Sequence, residues 1–460
     1  MGSSSSPLPD QRFARVGWEI SVMGELKGGV AEVNITPPIG NSLCGFGNRK
    51  GPAESVYDDL FARALVLDDG RTRLAIVTSD LISFAPDLVR RIRDLVERVA
   101  GVPGEGLLLN GSHSHSGPTV MSFRSMGSRD VAYEDVLCRQ VAGAVRMAAD
   151  RVEPVSLSAG RAPVRIAHNR RARRSGRMTI GHNPAGAEAP WVDVLRVDAR
   201  SGPTLGLLYV TAAHPVNLRG LAFSAEFPGY AARTIRRELE GALPMFAQAC
   251  CGDVNCTPMD GTLGTTIRQG ELLGGAAVNA ARHAEPLQSN GLGVARQVIY
   301  LPTRIPSVDE AERALEDQKA RVREAEQDSE ATDYLVCQYR GQIEWAEDYL
   351  RAARSRRPRP ETFEIQAMRI GEAALVAYPG EMFVDYQLAM DRTSPFKKTF
   401  TLAFSNGCIG YVPTAKAFPE GGYEVDHAFR YYGTLMITPA CERMIKSATL
   451  ELLDGLNPNN

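Results

Sequence analysis

The sequence predicts an α/β or α+β fold in which chemically active side chains collect where strands end. Apolar runs typical of buried strands, such as residues 107–109 and 207–211, alternate with segments of helical spacing such as residues 86–100. Histidine, glutamate or tyrosine follows several of the strand-like runs within a few residues. Because sites in α/β proteins form where strands pass into loops, we expect these side chains to converge.

The composition is that of an ordinary globular protein. The 460 residues are 44% apolar and 23% charged, with a net charge of −2. This balance favours a small-molecule substrate and gives no reason to expect a nucleic-acid or membrane partner. No apolar run approaches the roughly 18 residues of a spanning helix. Eight cysteines in so long a chain do not make a disulfide-dense framework, so we expect free thiols and a cytoplasmic location.

The first third of the chain predicts strands followed by helices. Residues 1–27 are expected to be a flexible segment, and a strand over 28–38 ends in two prolines. Strands at 64–67 and 74–78 flank Asp68-Asp69-Gly70 and predict a hairpin. Helices are predicted at 86–100, with proline in the first turn, and at 133–149, before a short strand at 155–158. Asp80, just past the hairpin, either orients a metal-binding histidine or caps a turn.

The remaining elements alternate in the same way. A helix is predicted at about 229–241, a strand at 245–248 and a glycine turn at 251–255, whose Asp253 and Asn255 either approach a ligand or form a plain turn. Residues 308–356 predict an antiparallel helical hairpin, which is either an insertion or a homo-oligomer contact. Strands at 362–369, 373–378 and 399–404 and a helix ending near 391 complete the pattern.

The central motif is Asn110-Gly-Ser-His-Ser-His-Ser-Gly-Pro118, which follows the strand at 107–109. In an extended segment residues i and i+2 point the same way, so His113 and His115 are expected to face one site. The pair alone also fits an ordinary polar loop. His214, Glu381 and Tyr411 lie beyond three other strands and favour a metal or catalytic site.

Two other clusters have competing interpretations. Five arginines occur within residues 170–177, and we expect most of them to form a solvated loop, although one beside a metal site suits a substrate carboxylate or carbonyl. Cys250, Cys251 and Cys256 suggest a thiolate metal site, but their spacing matches no common zinc pattern.

The ordered motifs resemble the catalytic domain of the neutral ceramidase family. His-Ser-His-Ser-Gly-Pro at 113–118 is followed by His-Pro at 214–215, Gly-Asp-Val at 252–254, Pro-Gly-Glu at 379–381 and Gly-Tyr-Val at 410–412. The similarity covers roughly residues 28–455. It implies a single catalytic domain of two mixed β-sheets flanked by helices, with the helical hairpin inserted at about 308–356 and a tail at 456–460.

The resemblance also implies a zinc site. Its zinc ligands correspond to His113, His214, Glu381 and Tyr411. Its further site residues correspond to His115, Arg170 and Tyr423, and its motif serine to Asn255. Asparagine has no nucleophilic hydroxyl, so serine-based covalent catalysis does not carry over. The chain also ends without the immunoglobulin-like domain of the lipid-active ceramidases and begins without a secretion signal, so we expect a substrate other than bulk lipid.

The predicted function is a zinc-dependent (Zn²⁺) hydrolase that cleaves the amide (N-acyl) bond of a small polar or anionic substrate with a metal-activated water. His115 is expected to carry the proton to the leaving group. Tyr423, Arg170 and Asn255 are expected to donate to the oxyanion. One alternative is an esterase, lactonase or acyl-transfer enzyme of a biosynthetic pathway. Another is a non-catalytic binding protein that retains the metal.

Overall fold

A computed structural model describes residues 25–288 and 291–458 of the chain. Most of the segment predicted to be flexible, residues 1–24, lies outside the described residues, as do residues 459 and 460 of the predicted tail. Within the described part, Leu26 is fully buried and the first strand begins at Lys27. The last helix ends at Leu456.

Each predicted strand has a counterpart and several are longer than predicted, but the long strands at Trp191–Ala199 and Leu292–Leu301 were not predicted. In chain order the strands are β1 (Lys27–Asn34), β2 (Ser55–Val56), β3 (Phe61–Asp68), β4 (Arg73–Ser79), β5 (Leu107–Gly111), β6 (Glu153–Pro163), β7 (Ala167–Asn169), β8 (Arg171–Arg174), β9 (Arg177–Ile180), β10 (Trp191–Ala199), β11 (Thr204–Thr211), β12 (Ala222–Phe223), β13 (Leu243–Gln248), β14 (Val254–Cys256), β15 (Glu285–Pro286), β16 (Leu292–Leu301), β17 (Glu361–Ile370), β18 (Ala373–Ala377), β19 (Glu381–Met382), β20 (Lys398–Leu402) and β21 (Tyr411–Val412).

The helices include the predicted ones. They are α1 (Pro86–Ala100), α2 (Val131–Ala149), α3 (Glu226–Glu238), α4 (Leu263–Arg282), α5 (Val308–Gln327), α6 (Asp333–Ser355), α7 (Val384–Thr393), α8 (Tyr423–Asp426), α9 (Phe429–Tyr432) and α10 (Cys441–Leu456). Helix α3 begins three residues before the predicted start, because Glu226 adopts a left-handed conformation with φ 56° and turns the chain into the helix. None of the helices in the described part is both long and apolar enough to cross a membrane.

The larger sheet is mixed. Its strand order is β13-β11-β10-β6-β1-β3-β4-β5, with β15 pairing to β6, and its parallel pairs are β11 with β13 and β4 with β5. The predicted hairpin of β3 and β4 is present, with Leu65 opposite Ile76. Helix α2 packs on β1 and β3, and α4 packs on β6 and β10.

The smaller sheet is also mixed and has the order β16-β17-β18-β20, with β18 and β20 parallel. Helix α10 packs on β16 and β17. Two mixed sheets flanked by helices confirm the predicted fold class.

Asn110 joins the two sheets. Its Oδ1 accepts from the Gln248 amide at the end of β13, while its Nδ2 donates to the Ala403 carbonyl and to Ser405 Oγ beyond β20. The ends of three strands are thereby fixed beside the histidine motif.

The helical hairpin, α5 and α6, is fastened to the loop that follows the histidine motif. Gln338 Oε1 accepts from the Gly127 amide, and Gln342 Nε2 donates to Ser125 Oγ at 2.7 Å. Helix α6 approaches this loop so closely that a Cβ at Gly341 would lie 1.6 Å from the Arg124 carbonyl oxygen. The antiparallel pairing of α5 and α6 agrees with the prediction, and α6 contributes part of a cavity wall described below.

Candidate metal centre and its cavity

His113 is held in an unusual backbone conformation directly after β5. Its φ is 62°, in the left-handed region, so the His-x-His segment is not extended as predicted. The His113 backbone N–H donates a hydrogen bond to the Leu81 carbonyl, and the ring stacks on Phe404 with centroids 3.9 Å apart. His113 and His115 nevertheless face one site, with their Nε2 atoms 3.2 Å apart. Non-glycine residues in strained conformations occur often at functional sites.

Backbone carbonyls determine which ring nitrogens of two histidines carry protons. Nδ1 of His113 lies 3.0 Å from the Ile82 carbonyl, and Nδ1 of His214 lies 2.6 Å from the Cys251 carbonyl. A carbonyl oxygen only accepts, so each Nδ1 carries a proton, and in a neutral ring Nε2 then presents a lone pair. Asp80 instead accepts from the Phe61 amide and pairs with Arg63 at 3.1 Å, so the idea that it orients a histidine is wrong.

Electron-pair donors converge on the Glu381 carboxylate. Its Oε2 lies 3.1 Å from His214 Nε2 and 3.4 Å from His113 Nε2. Burial lowers the pKa of His214 to about 4, so this imidazole is neutral near pH 7. A lone pair and a carboxylate oxygen at hydrogen-bond distance repel each other unless a proton or a metal cation lies between them. The donor set therefore fits a bound metal ion.

His115 completes a group of three histidines whose nearest ring nitrogens all lie within 4.8 Å of one another and could hold a metal ion. Its Nδ1 is buried without a partner among the described residues. Burial, followed by the neighbouring His113 and His214, lowers its pKa well below the ordinary value. Imidazole and carboxylate donors suit zinc.

Cys250, Cys251 and Cys256, considered as an alternative thiolate site, do not form a metal-ligating group among the described residues.

Strand pairing and a close glycine contact place Glu381. It begins β19 and lies opposite Tyr411 in the parallel pair β19–β21. Gly252 makes room for this segment, since a Cβ there would lie 2.4 Å from the Glu381 carbonyl oxygen. The hydroxyl of Tyr432 donates to Glu381 Oε1. Sequence reasoning missed Tyr432, which lies in the four-residue helix α9 rather than beyond a strand.

Arg170 links Tyr411 to the glycine turn. Its Nη2 donates to the Tyr411 hydroxyl at 2.9 Å, its Nη1 to Asn255 Oδ1 at 3.0 Å, and its Nε to Glu424 at 2.8 Å. Glu424 also pairs with Arg171 at 2.7 Å and was not predicted from the sequence. The sequence indicates the role of Glu424 only weakly, because Glu424 is one of many acidic residues in the C-terminal region.

The rest of the basic segment and of the glycine turn has structural roles. Arg173, Arg174 and Arg177 are exposed on the hairpin of β8 and β9, as expected for a solvated segment, although it is a hairpin rather than a loop. Asp253 accepts from the Val384 amide and from Asn169 Nδ2, and burial raises its pKa to about 7. Of the two polar residues predicted to approach a ligand, Asn255 therefore lines the cavity, while Asp253 fixes the backbone.

A cavity of about 300 Å³ opens beside these residues. Its inner part is bordered by His115, Arg170, Asn255, Tyr411 and Tyr423. The structure thus groups His113, His115, His214 and Glu381 at one centre, and it places Tyr411, Arg170, Asn255 and Tyr423 along the adjoining wall. Tyr423 begins α8, and its ring centroid lies 5.8 Å from that of Tyr411.

The fold is similar to those of solved ceramidases. The crystal structure of neutral ceramidase from Pseudomonas aeruginosa matches with a TM-score of 0.70 and 17% identity, covering 94% of this chain and 74% of that one. A ceramidase complexed with C2 matches with a TM-score of 0.69 and 16% identity, covering 94% of this chain and 75% of that one. No protein-family model matches the sequence. The chain therefore has a neutral ceramidase-like fold.

Proposed function

We propose that the protein is a zinc-dependent amidohydrolase that cleaves an N-acyl bond in a small polar or anionic substrate. The observation that carries the proposal is the approach of His214 Nε2 and His113 Nε2 to Glu381 Oε2, at 3.1 and 3.4 Å. Tyr411 is the proposed fourth ligand, since it faces Glu381 across a strand pair. The similarity to solved ceramidases supports amide cleavage as the reaction type.

A bound zinc ion would act as a Lewis acid and lower the pKa of water from about 15.7 toward 7. The residues of the chain perform the remaining work. His115 lines the cavity and its Nδ1 has no partner among the described residues, so it is the proposed group that accepts the proton released from water and passes it to the leaving nitrogen. The amide bond then breaks to give a carboxylate and an amine.

Three residues of the cavity wall stabilise the developing oxyanion in this mechanism. The Oδ1 of Asn255 accepts from Arg170, which leaves the Nδ2 amide to donate. Tyr423 lines the same wall and offers a hydroxyl, because burial raises its pKa and keeps it protonated. Arg170 offers guanidinium N–H donors and fixes the asparagine. One well-placed donor is worth about 2.7–4 kcal/mol in the transition state.

The test is hydrolysis by metal-depleted protein before and after addition of zinc. Matched pairs of N-acyl amino acids and the corresponding esters are the substrates. We expect zinc to restore amide cleavage and His115→Ala to abolish it while retaining the metal. Cleavage of esters alone would favour the esterase, lactonase or acyl-transfer alternative. Stoichiometric zinc without turnover of either class would favour a binding protein.

The cytoplasm is the proposed compartment. Each of the eight cysteines is a free thiol, and seven of them are buried. Free thiols persist in reducing compartments, whereas long-lived disulfides are typical of secreted proteins. Cell fractionation with an antibody against the protein tests this placement.

A further inference from the structure

The outer part of the cavity carries positive charge without acidic side chains to balance it. The lining also includes Arg219 and Arg321, together with Tyr339, Gln342 and Phe46, whose ring centroid lies 5.0 Å from that of His115. Among the described residues, no aspartate or glutamate lines this cavity. Arg170, the third arginine of the lining, is neutralised by Glu424. Arg219 and Arg321 therefore provide its uncompensated charge.

Each of these two arginines is held by an aromatic ring rather than by a carboxylate. The guanidinium carbon of Arg219 lies 5.3 Å from the Phe46 ring centroid, and that of Arg321 lies 4.1 Å from the Tyr339 centroid. Neither side chain forms an ion pair or hydrogen bond within the described part of the chain. Stacking keeps a guanidinium in place while leaving its N–H groups free for a planar oxyanion.

A buried amide beside them also lacks a partner. Gln342 is 1% exposed and lines the cavity; its Nε2 donates to Ser125 Oγ, while its Oε1 has no partner among the described residues. Leaving a buried acceptor unpaired is unfavourable, so a ligand N–H or O–H that donates to this oxygen is favoured. This observation is independent of the arginines and points to the same cavity.

We propose that Arg219 and Arg321 form the recognition site for an anionic group of the substrate, a carboxylate or a phosphate, while the acyl bond lies at the metal centre. Arg321, Tyr339 and Gln342 all come from the helical hairpin. The hairpin is thus a specificity-determining element in which Arg321 contacts the anion and Gln342 Oε1 accepts from a ligand N–H or O–H. This inference rests on the proposed function only for the identity of the bond that is cleaved.

Binding is measured separately from hydrolysis. The probes are ketone analogues of N-acetyl-L-alanine, of its neutral carboxamide and of N-acetylethanolamine phosphate, each with CH2 in place of the amide NH. Calorimetry with the zinc-loaded full-length protein gives their Kd values. We expect at least one anionic analogue to bind about tenfold or more tightly than the neutral one. The tighter of the two anions identifies the natural group.

Substitution of the arginines should affect only the anionic probes. Arg219→Gln and Arg321→Gln are each expected to raise the Kd of the preferred anion about tenfold and to change that of the carboxamide less than twofold. Arg323→Gln is the matched control, since Arg323 is exposed on the same helix and does not line the cavity. Its Kd values should match those of the unmodified protein.

The outcomes distinguish this inference from the proposed function. Equal affinity for the neutral and anionic analogues, or an equal loss in Arg321→Gln and Arg323→Gln, would overturn the anion site even if the protein cleaves amides. Conversely, preference for the anion that is lost in Arg219→Gln and Arg321→Gln supports the site, even if no amide or ester is hydrolysed.

Discussion

Nη1 of Arg170 donates a hydrogen bond to Oδ1 of Asn255 at 3.0 Å. This bond fixes the orientation of the asparagine amide, so that its nitrogen is the group left for a ligand. Asn255 also pairs with His214 through the backbone. The residue that replaces the serine expected from the family resemblance is therefore held between the proposed metal ligands and the cavity.

Replacing Asn255 should impair catalysis without removing the metal. Asn255→Ala eliminates the proposed oxyanion donor while keeping the backbone pairing, so we expect kcat to fall about 100- to 1,000-fold. Asn255→Ser retains a hydroxyl donor and should lose less. Steady-state kinetics and metal analysis of both variants check this. Loss of bound zinc from Asn255→Ala would show that the residue supports the metal instead.

Removing either proposed histidine ligand should empty the centre. In His113→Ala and His214→Ala an imidazole lone pair is lost, and we expect less than one tenth of the zinc to remain after dialysis, by mass spectrometry of the metal. His283→Ala is the control, because this exposed histidine bonds only to the Asn279 carbonyl at the end of α4. Stoichiometric zinc in both ligand variants would refute the assignment.

Tyr432 should tune the metal affinity through Glu381. Tyr432→Phe removes the hydroxyl that donates to Glu381 Oε1, and loss of such a supporting hydrogen bond typically weakens metal binding about 10- to 100-fold. Competition with a chelator gives the affinity. Tyr300→Phe, at an exposed tyrosine, is expected to bind zinc normally. Unchanged affinity in Tyr432→Phe would mean that the hydroxyl does not support the carboxylate.

Gly341 should control the attachment of the helical hairpin. Its Cβ would meet the Arg124 carbonyl, which is backbone and cannot swing aside, so Gly341→Ala should lower the free energy of unfolding by about 1–3 kcal/mol. Gly275→Ala is the matched control, because that helical glycine has open space around it and alanine favours a helix by about 0.5–1 kcal/mol. Urea denaturation measures both. An unchanged free energy of unfolding in Gly341→Ala would indicate that α6 packs less closely against the Arg124 carbonyl.

Glu226 should make the stability depend on pH. It is fully buried near Asp58 and Arg49, and burial raises its pKa from 4.5 to about 8. Between these two values the folded protein retains a proton that the unfolded chain loses, so this contribution to stability decreases as the pH rises from about 4.5 through 8. Glu226→Gln should flatten the profile obtained by urea denaturation, and Glu240→Gln, at an exposed residue, should not. If the unmodified protein, Glu226→Gln and Glu240→Gln showed the same dependence of unfolding free energy on pH, Glu226 would not be the group responsible.

Position after a strand was an effective guide to the candidate site. His113, His214 and Glu381 each follow an apolar run, and parallel or bridged strand ends bring them together. Composition and periodicity gave only the broad fold class, and the family resemblance supplied the two mixed sheets.

Other contacts could not be anticipated from local patterns. Tyr432 and Glu424 reach the centre from short helices near the C-terminus, where the sequence has no strand to mark them. The left-handed conformation of His113 is accompanied by contacts with Leu81 and Phe404. Both residues are distant from His113 in the sequence, so a local pattern does not reveal these contacts. Asp80 was ambiguous because its partner Arg63 lies on the neighbouring strand.

The segment that reaches the cavity from α5 and α6 supplies none of the proposed metal ligands. Part of the proposed recognition site, Arg321 with Tyr339 and Gln342, is therefore encoded apart from the proposed metal ligands. Exchange of residues 308–356 for another sequence that still packs against the loop at 124–127 would therefore change the substrate specificity and leave the proposed metal ligands in place.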